Sequence, residues 1–390
     1  MTPFNPEAAT AAWLARIPPA DGIRAEALTS LSHWNWAVGT LITILACWII
    51  ARSGVLSRLK TAIEAEGPRP WLAAAACSGG FVVLLLLLRT PWALFMAWRV
   101  DQLRTPPVGL PGLVRLMTGN VTLQVVAAAA VLPLAYAIAR RAPRLWWAWI
   151  GGAGAIAAFA LVWAPYALAS GPAAIPGAPA GPVRDGLVRL VRVSGLGAVQ
   201  IQVSDNPKVD ADVTGVPGRP RIVISRGMIE TASRAEALAA VGHLIGHFRH
   251  ADQLSFAVVL ALLAFAGAAA VGLLFRPVAG AFGLKGERSP ADPASLPVSA
   301  AILAAWVLVA TPVFNGFDRW ANVRADQYSL DQAQAPDGLA ATILREHGGD
   351  KADPSPLEEA IFYDHPAVRG RLLRAMRWKA AHSIEGTTGP

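Results

Sequence analysis

Charged residues are scarce in this 390-residue sequence: Asp, Glu, Lys and Arg make up 15%, whereas hydrophobic residues make up 54%. Soluble domains carry about 25% charged residues, so this composition argues against an ordinary soluble enzyme. Six stretches contain none of these four residues, and each has roughly 18 residues or more, enough to cross a bilayer. The stretches are 34–51, 70–88, 121–139, 145–170, 253–275 and 296–314. They predict an integral membrane protein, which we assign to a bacterial inner membrane.

Cysteine is almost absent as well. Cys47 and Cys77 both lie in apolar stretches, which predicts packing side chains and excludes a disulfide framework. The first 30 residues lack the basic start and apolar centre of a signal peptide. A net charge of +8 is typical of basic loops that flank membrane helices. We therefore expect membrane lipid as a partner and no nucleic acid, and the sequence leaves the oligomeric state open.

The alternation of polar and apolar segments predicts five regions. They are an interfacial N-terminal lead-in (1–33), a four-span bundle (34–170), a polar segment (183–252), two further spans (253–314) and a polar helical segment (315–390). A Gly/Pro/Ala-rich linker, 171–182, separates the second region from the third. Within the polar segment, residue patterns predict helices at 187–193 and 231–249 and strands at 199–203 and 221–225.

Residues 243–247, on the second of these predicted helices, read His-Leu-Ile-Gly-His. Two histidines four residues apart share one helix face and together can hold one zinc ion. In the zinc-protease motif H-E-x-x-H, a glutamate follows the first histidine and takes a proton from zinc-bound water. Here that position is Leu244, which accepts no proton. The motif therefore predicts a metalloprotease-like site that lacks its general base.

Four other segments extend this pattern along the chain. They are Arg144-Leu-Trp-Trp-Ala-Trp, Asp210-Ala-Asp-Val-Thr-Gly followed by Arg221-Ile-Val-Ile, Pro312-Val-Phe-Asn followed by Arg319, Asn322 and Asp326, and Phe362-Tyr-Asp-His-Pro. In this order, with the histidine motif, they resemble the type I CAAX prenyl protease family of integral-membrane zinc metalloendopeptidases. The resemblance implies a membrane all-α bundle of about six to seven transmembrane helices enclosing a chamber. A small α+β zincin-like polar portion would complete it.

The resemblance also implies roles for individual residues. It assigns metal binding to His243, His247 and Asn322, a catalytic position to His365, support of the metal ligands to Asp326 and Arg319, and substrate binding to Asp210 and Asp212. Two family glutamates, the base and the third zinc ligand, are replaced by Leu244 and Asn322, and a family asparagine is replaced by Asp210. A neutral amide oxygen is a weaker zinc donor than a carboxylate. We therefore expect zinc to bind weakly or not at all.

These departures favour a pseudoprotease, a protein that keeps the family's chamber but binds or regulates a peptide or prenylated ligand without cutting it. Two other functions stay open. One is an active zinc metalloendopeptidase of prenylated or membrane-associated peptides, with a site rewired through Asp326, His250 or Asp252. The other is a lipid or prenyl-chain binding protein. A further interpretation is that His243 and His247 only form hydrogen bonds inside a polar cavity.

Overall fold

A computed structural model describes residues 4–104, 106–118, 121–168, 177–197, 199, 201–216, 219–284, 289–347 and 349–383. The helices are α1 (Pro6–Leu14), α2 (Pro19–Ser53), α3 (Val55–Ile63), α4 (Pro70–Asp101), α5 (Gly109–Thr118), α6 (Val121–Arg141), α7 (Trp146–Leu168), α8 (Pro182–Val193), α9 (Arg226–Thr231), α10 (Arg234–Arg249), α11 (Asp252–Ala281), α12 (Leu296–Ala333), α13 (Pro336–Glu346), α14 (Pro356–Phe362) and α15 (Val368–Ser383). The strands are β1 (Ile201–Ser204), β2 (Ala211–Val216) and β3 (Arg219–Ser225). Residues 171–176, half of the expected linker at 171–182, lie outside the described residues.

Among the residues that the structure describes, six helices are long and apolar enough to cross a membrane: α2, α4, α6, α7, α11 and α12, the last with the short 3₁₀ turn before it. Each of them overlaps one of the six charge-free stretches, and the other described residues add a small sheet and shorter helices. This architecture confirms the predicted integral membrane protein and its mainly helical fold with a small α+β portion. The chamber that the resemblance implies stays a prediction.

The N-terminal region differs from the expected lead-in. Helix α2 runs without a break through the expected boundary at 33 and 34, because no glycine or proline interrupts it between Ile23 and Trp34. It ends before Gly54, whose φ of 66° lies in the left-handed region that glycine adopts readily. Within the N-terminal region, Trp13 and Leu14 pack against the core between α13 and α15.

The chain divides into two compact units. The first comprises Met1–Glu26, Phe159–Val259 and Pro312–Pro390, and the second comprises Ala27–Ala158 and Leu260–Thr311. In the second unit, apolar side chains of α2, α4, α11 and α12 form one core, with Phe275 1% exposed. Cys47 and Cys77 are free and buried in that core, which confirms their prediction as packing residues.

The first unit contains the sheet, in the order β1-β3-β2. Strand β3 pairs in parallel with β1 and antiparallel with β2, so β2 lies at an edge. Branched side chains on one sheet face pack against α8 and α10, and Ile222, Ile224 and Ile245 are fully buried there. This core fixes the position of α10 against the sheet.

Helix α10 carries the histidine motif, and its ends and one face are fixed by specific contacts. Ser233 caps the N-terminus, accepting a hydrogen bond from the backbone N–H of Glu236 at 3.2 Å. After the helix, Ala251 adopts a φ of 54°, which turns the chain so that Asp252 begins α11. Gly246 allows α12 to approach, because a Cβ there would lie 3.0 Å from the Cα of Ala325.

Replacing Gly338 by alanine is expected to destabilise the first unit by at least about 1–3 kcal/mol, because the added Cβ cannot be accommodated. It would lie 2.1 Å from the carbonyl oxygen of Ala235, which is backbone and cannot rotate away. Gly370→Ala is the control, since its Cβ meets no atom within 4 Å in helix α15. It should instead stabilise by about 0.5–1 kcal/mol. Thermal unfolding of both variants in detergent checks this, and equal midpoints would contradict it.

Candidate metal centre

The two motif histidines face each other on α10. The Nε2 atoms of His243 and His247 lie 3.1 Å apart, and their rings are nearly perpendicular at 83°. Four residues of helix separate them, so both side chains leave the same face. Two nitrogen ligands of one tetrahedral zinc ion would lie about 3.3 Å apart, given Zn–N distances near 2.05 Å. The pair therefore has the separation that one metal ion requires.

His243 is held from behind by a buried ion pair. Its Nδ1 lies 2.8 Å from Oδ1 of Asp326, whose side chain is 1% exposed. The guanidinium of Arg371 donates two hydrogen bonds of 2.8 Å to the same carboxylate. Since an arginine-paired carboxylate is ionised and only accepts, Nδ1 of His243 must carry the proton. Nε2 is left with a free electron pair.

His247 is held in the same way by a different carboxylate. Its Nδ1 lies 2.8 Å from Oδ2 of Asp252, which is completely buried. Asp252 in turn accepts a hydrogen bond from Arg324, whose guanidinium carbon lies 3.6 Å from the ring centre of Trp320. Nε2 of His247 is therefore also an acceptor.

Two electron pairs thus point at each other across 3.1 Å. Burial lowers the pKa of His243, which disfavours a proton on Nε2 of that ring. A shared cation relieves the repulsion between the electron pairs directly. Carboxylates that hold the rear nitrogen of a histidine are the usual support of histidine ligands to metals. The arrangement is compatible with a shared metal ion and with a proton shared between the two Nε2 atoms.

Asn322 supplies an orphaned oxygen to the same region. It lies one helical turn before Asp326 on α12 and is 2% exposed. Its Nδ2 donates to the backbone oxygen and Oδ1 of Asp318, at 3.0 and 2.8 Å. Its Oδ1 accepts no hydrogen bond from any residue that the structure describes. Two imidazoles and this amide oxygen fit a divalent metal, but all three donors are neutral, so weak zinc binding stays our prediction.

The three candidate ligands line an open cavity of about 700 Å³ within the first unit. Leu244 lines it too, while also packing against the sheet core. The rest of the wall is mixed. Its apolar part includes Val162, Phe256 and Phe314, and its polar part includes Asp212, Asp318, Glu346, His365 and Arg371. Such a wall can accept a chain with both polar and apolar groups.

The remaining predicted site residues have different positions. His365 lines the cavity, and its Nδ1 contact of 3.0 Å with Asp364 raises its pKa. Asp212 also lines the cavity, where burial raises its pKa. Asp210, in contrast, accepts a hydrogen bond from Asn206 at 3.3 Å. Arg319 donates to the backbone carbonyls of Ala360 and Tyr363 and so fixes the segment that carries His365. Their roles in chemistry stay predictions.

Three residues were considered as alternative metal ligands, and the structure shows none of them in contact with the Nε2 atoms of His243 and His247. Asp326 and Asp252 are committed to the Nδ1 atoms, and the ring of His250 lies 6.0 Å from that of Tyr328. The sequence reading missed Asp318 and Arg324. The signal for Asp318 was its spacing, since Asp318, Asn322 and Asp326 follow one another at intervals of four on a helix.

The protein combines six apolar helices, a short sheet with an edge strand, and a histidine pair supported by buried carboxylates. These features are typical of an integral membrane protein of the metallopeptidase type. The model of Peptidase family M48 matches residues 179–379, more than half of the chain. The chain belongs to Peptidase family M48. This membership confirms the resemblance to the membrane metalloprotease family inferred from the sequence.

Curated relatives are similar to part of the chain. A "Protease HtpX homolog" of Aeropyrum pernix is 30% identical over 176 residues, covering 44% of this chain and 53% of the relative. The "Uncharacterized metalloprotease YhfN" of Bacillus subtilis is 25% identical over 173 residues, covering 43% and 40%. The chain thus spans about half the length of the curated relatives it matches. A crystal structure of S. mikatae Ste24p aligns with 86% of this chain and 98% of its own, at 15% identity and a TM-score of 0.47.

Proposed function

We propose that this chain is a pseudoprotease of Peptidase family M48, which binds a peptide or prenylated ligand in its cavity without hydrolysing it. The observation that carries the proposal is Leu244. This residue stands directly after the first motif histidine and lines the cavity beside both histidines. A leucine neither orients a water molecule nor accepts its proton.

Loss of that base has a large chemical effect. General acid–base assistance contributes about 10²–10⁴-fold to a rate. Asp318 is a carboxylate on the cavity wall, but its Oδ1 is engaged by the amide of Asn322. Asp212, also on the wall, has a raised pKa because of burial, which disfavours the ionised form that a base requires. Neither carboxylate replaces the missing glutamate at its helix position.

Ligand binding, by contrast, is supported by the edge strand and by the apolar wall of the cavity. Strand β2 lies at the sheet edge, where a peptide can add as a further strand, and Asp212 and Val213 of β2 line the cavity. Val162, Phe256 and Phe314 give the same cavity an apolar wall suited to a hydrocarbon group. A ligand with a polar backbone and an apolar modification therefore suits the site.

The test uses the purified full-length protein in detergent with a labelled, internally quenched peptide, prepared with and without a prenyl group. We expect saturable binding and no cleavage above that of His243→Ala. Val162→Trp should weaken binding by filling the cavity. Leu161→Trp, at a neighbouring position that is 75% exposed, is the matched control and should bind normally.

A second candidate function is an active metalloendopeptidase, favoured by the intact support of both histidines. Cleavage that is lost with a chelator and in His243→Ala would establish this function and refute the first. Binding of a lipid or prenyl chain alone is the third candidate, for which the apolar wall is the supporting observation. It would appear as equal binding of a free prenyl alcohol and the prenylated peptide.

A further inference from the structure

Asp318 controls the orientation of the Asn322 side chain. Two oxygen acceptors of Asp318, its backbone carbonyl and its carboxylate Oδ1, lie within 3.0 Å of Nδ2 of Asn322. The two N–H groups of the amide are thus directed back toward the preceding turn of α12. Because a carboxamide carries its oxygen opposite its nitrogen, Oδ1 of Asn322 points away from Asp318.

That oxygen lies in a place where a metal could use it. Asn322 is 2% exposed, and Oδ1 has no hydrogen-bond partner among the described residues. Asn322 lines the same cavity as His243 and His247. One turn further along α12, Asp326 contacts the rear nitrogen of His243, so this face of α12 is directed at the histidine pair. A buried, unpaired acceptor on a cavity wall that two imidazole acceptors also line is unfavourable unless it meets a cation or a donor there.

We propose that Asp318 is a positioning residue that fixes the amide of Asn322 so that its oxygen acts as the third metal donor. The resulting site has three neutral donors, two imidazole nitrogens and one amide oxygen, for a divalent transition metal such as Zn²⁺ or Co²⁺. The carboxylate of Asp318 accepts a hydrogen bond from the amide nitrogen of Asn322. In the same way, Asp326 and Asp252 contact the Nδ1 atoms of His243 and His247. Every donor is then held by an acidic side chain.

Metal binding to the purified, metal-stripped full-length protein tests this arrangement. We expect Asp318→Ala to weaken the Kd for Zn²⁺ by about 10–100-fold, as loss of a residue that orients a ligand does. Asn322→Ala should weaken it at least as much. The visible absorption of bound Co²⁺ should change in the same way in both variants, because both lose the same donor. Asp318→Asn keeps an oxygen acceptor and should bind Zn²⁺ more tightly than Asp318→Ala.

A double-mutant cycle separates positioning from a general effect on the cavity. If Asp318 acts through Asn322, Asp318→Ala has no further effect on the Kd in the Asn322→Ala background. Asp331→Ala is the matched control, an exposed aspartate on the same helix and away from the cavity, and should leave the Kd unchanged.

Three results would overturn the proposal: no stoichiometric metal in the parent, an unchanged Kd in Asn322→Ala, or an undiminished Asp318→Ala effect in the Asn322→Ala background. If Asp318→Ala does not fold, Asn322→Ala and Asp318→Asn decide the question. None of these measurements involves peptide cleavage. Their outcome therefore holds whether or not the chain proves to be a pseudoprotease.

Discussion

Leu244→Glu combined with Asn322→Glu is expected to give this chain a chelator-sensitive peptidase activity. The first change supplies the proton acceptor next to the histidine pair, and the second supplies a charged third ligand. The rest of the metal site needs no change. The Nε2 atoms of His243 and His247 lie 3.1 Å apart, and their Nδ1 atoms contact buried carboxylates. Turnover of a quenched peptide should rise at least about 10²–10⁴-fold over Asn322→Glu alone, the usual contribution of a general base.

The control for this prediction is Leu244→Gln combined with Asn322→Glu. Glutamine has nearly the shape of glutamate but accepts no proton at neutral pH, so this variant should bind zinc and remain inactive. His243→Ala in the active variant should abolish the gain. If the double glutamate variant binds one zinc ion and still cleaves nothing, the defect lies outside these two positions, and Asp210 becomes the next position to change.

The fold was predictable where it depends on local composition. The six long helices follow from runs without charge, and β1 and β3 follow from alternation and the turn residues between them. The single helix from Pro19 to Ser53 was not predicted as such. Charge in its first half suggested a separate region, but charge does not end a helix, and only Pro18 and Gly54 provide such signals.

The candidate site was predictable where one helix defines it. His243 and His247 follow from spacing alone, and Asp326 came from the family resemblance. The contact between Arg324 and Asp252 could not be predicted in this way, because it joins residues 72 positions apart. The sequence named Asp252 as a candidate for a rewired site, whereas the structure buries it after the left-handed turn at Ala251, in contact with Nδ1 of His247. Spacing within a helix is visible in a sequence, whereas contacts between helices are not.

Arg371→Met is expected to destabilise the first unit by about 3–5 kcal/mol, the cost of leaving a buried carboxylate without its partner. Asp326 is 1% exposed, and two of its hydrogen bonds come from Arg371. Arg374 lies 3.7 Å from the same carboxylate and compensates in part, which favours the lower end of that range. Because Asp326 also holds His243, zinc affinity should fall together with stability. Thermal unfolding in detergent and zinc titration measure the two effects.

Arg369→Met on the same helix is the matched control. Arg369 is about half exposed, and its contacts with Glu7 and Asp353 are 3.9 and 3.5 Å long. Exposed ion pairs contribute about 0–1 kcal/mol, so this variant should unfold close to the parent. Adding Asp326→Asn to Arg371→Met removes the uncompensated charge and should recover part of the lost stability. If the double variant is instead less stable than Arg371→Met, the destabilisation comes from lost packing of the arginine side chain and not from the buried charge of Asp326.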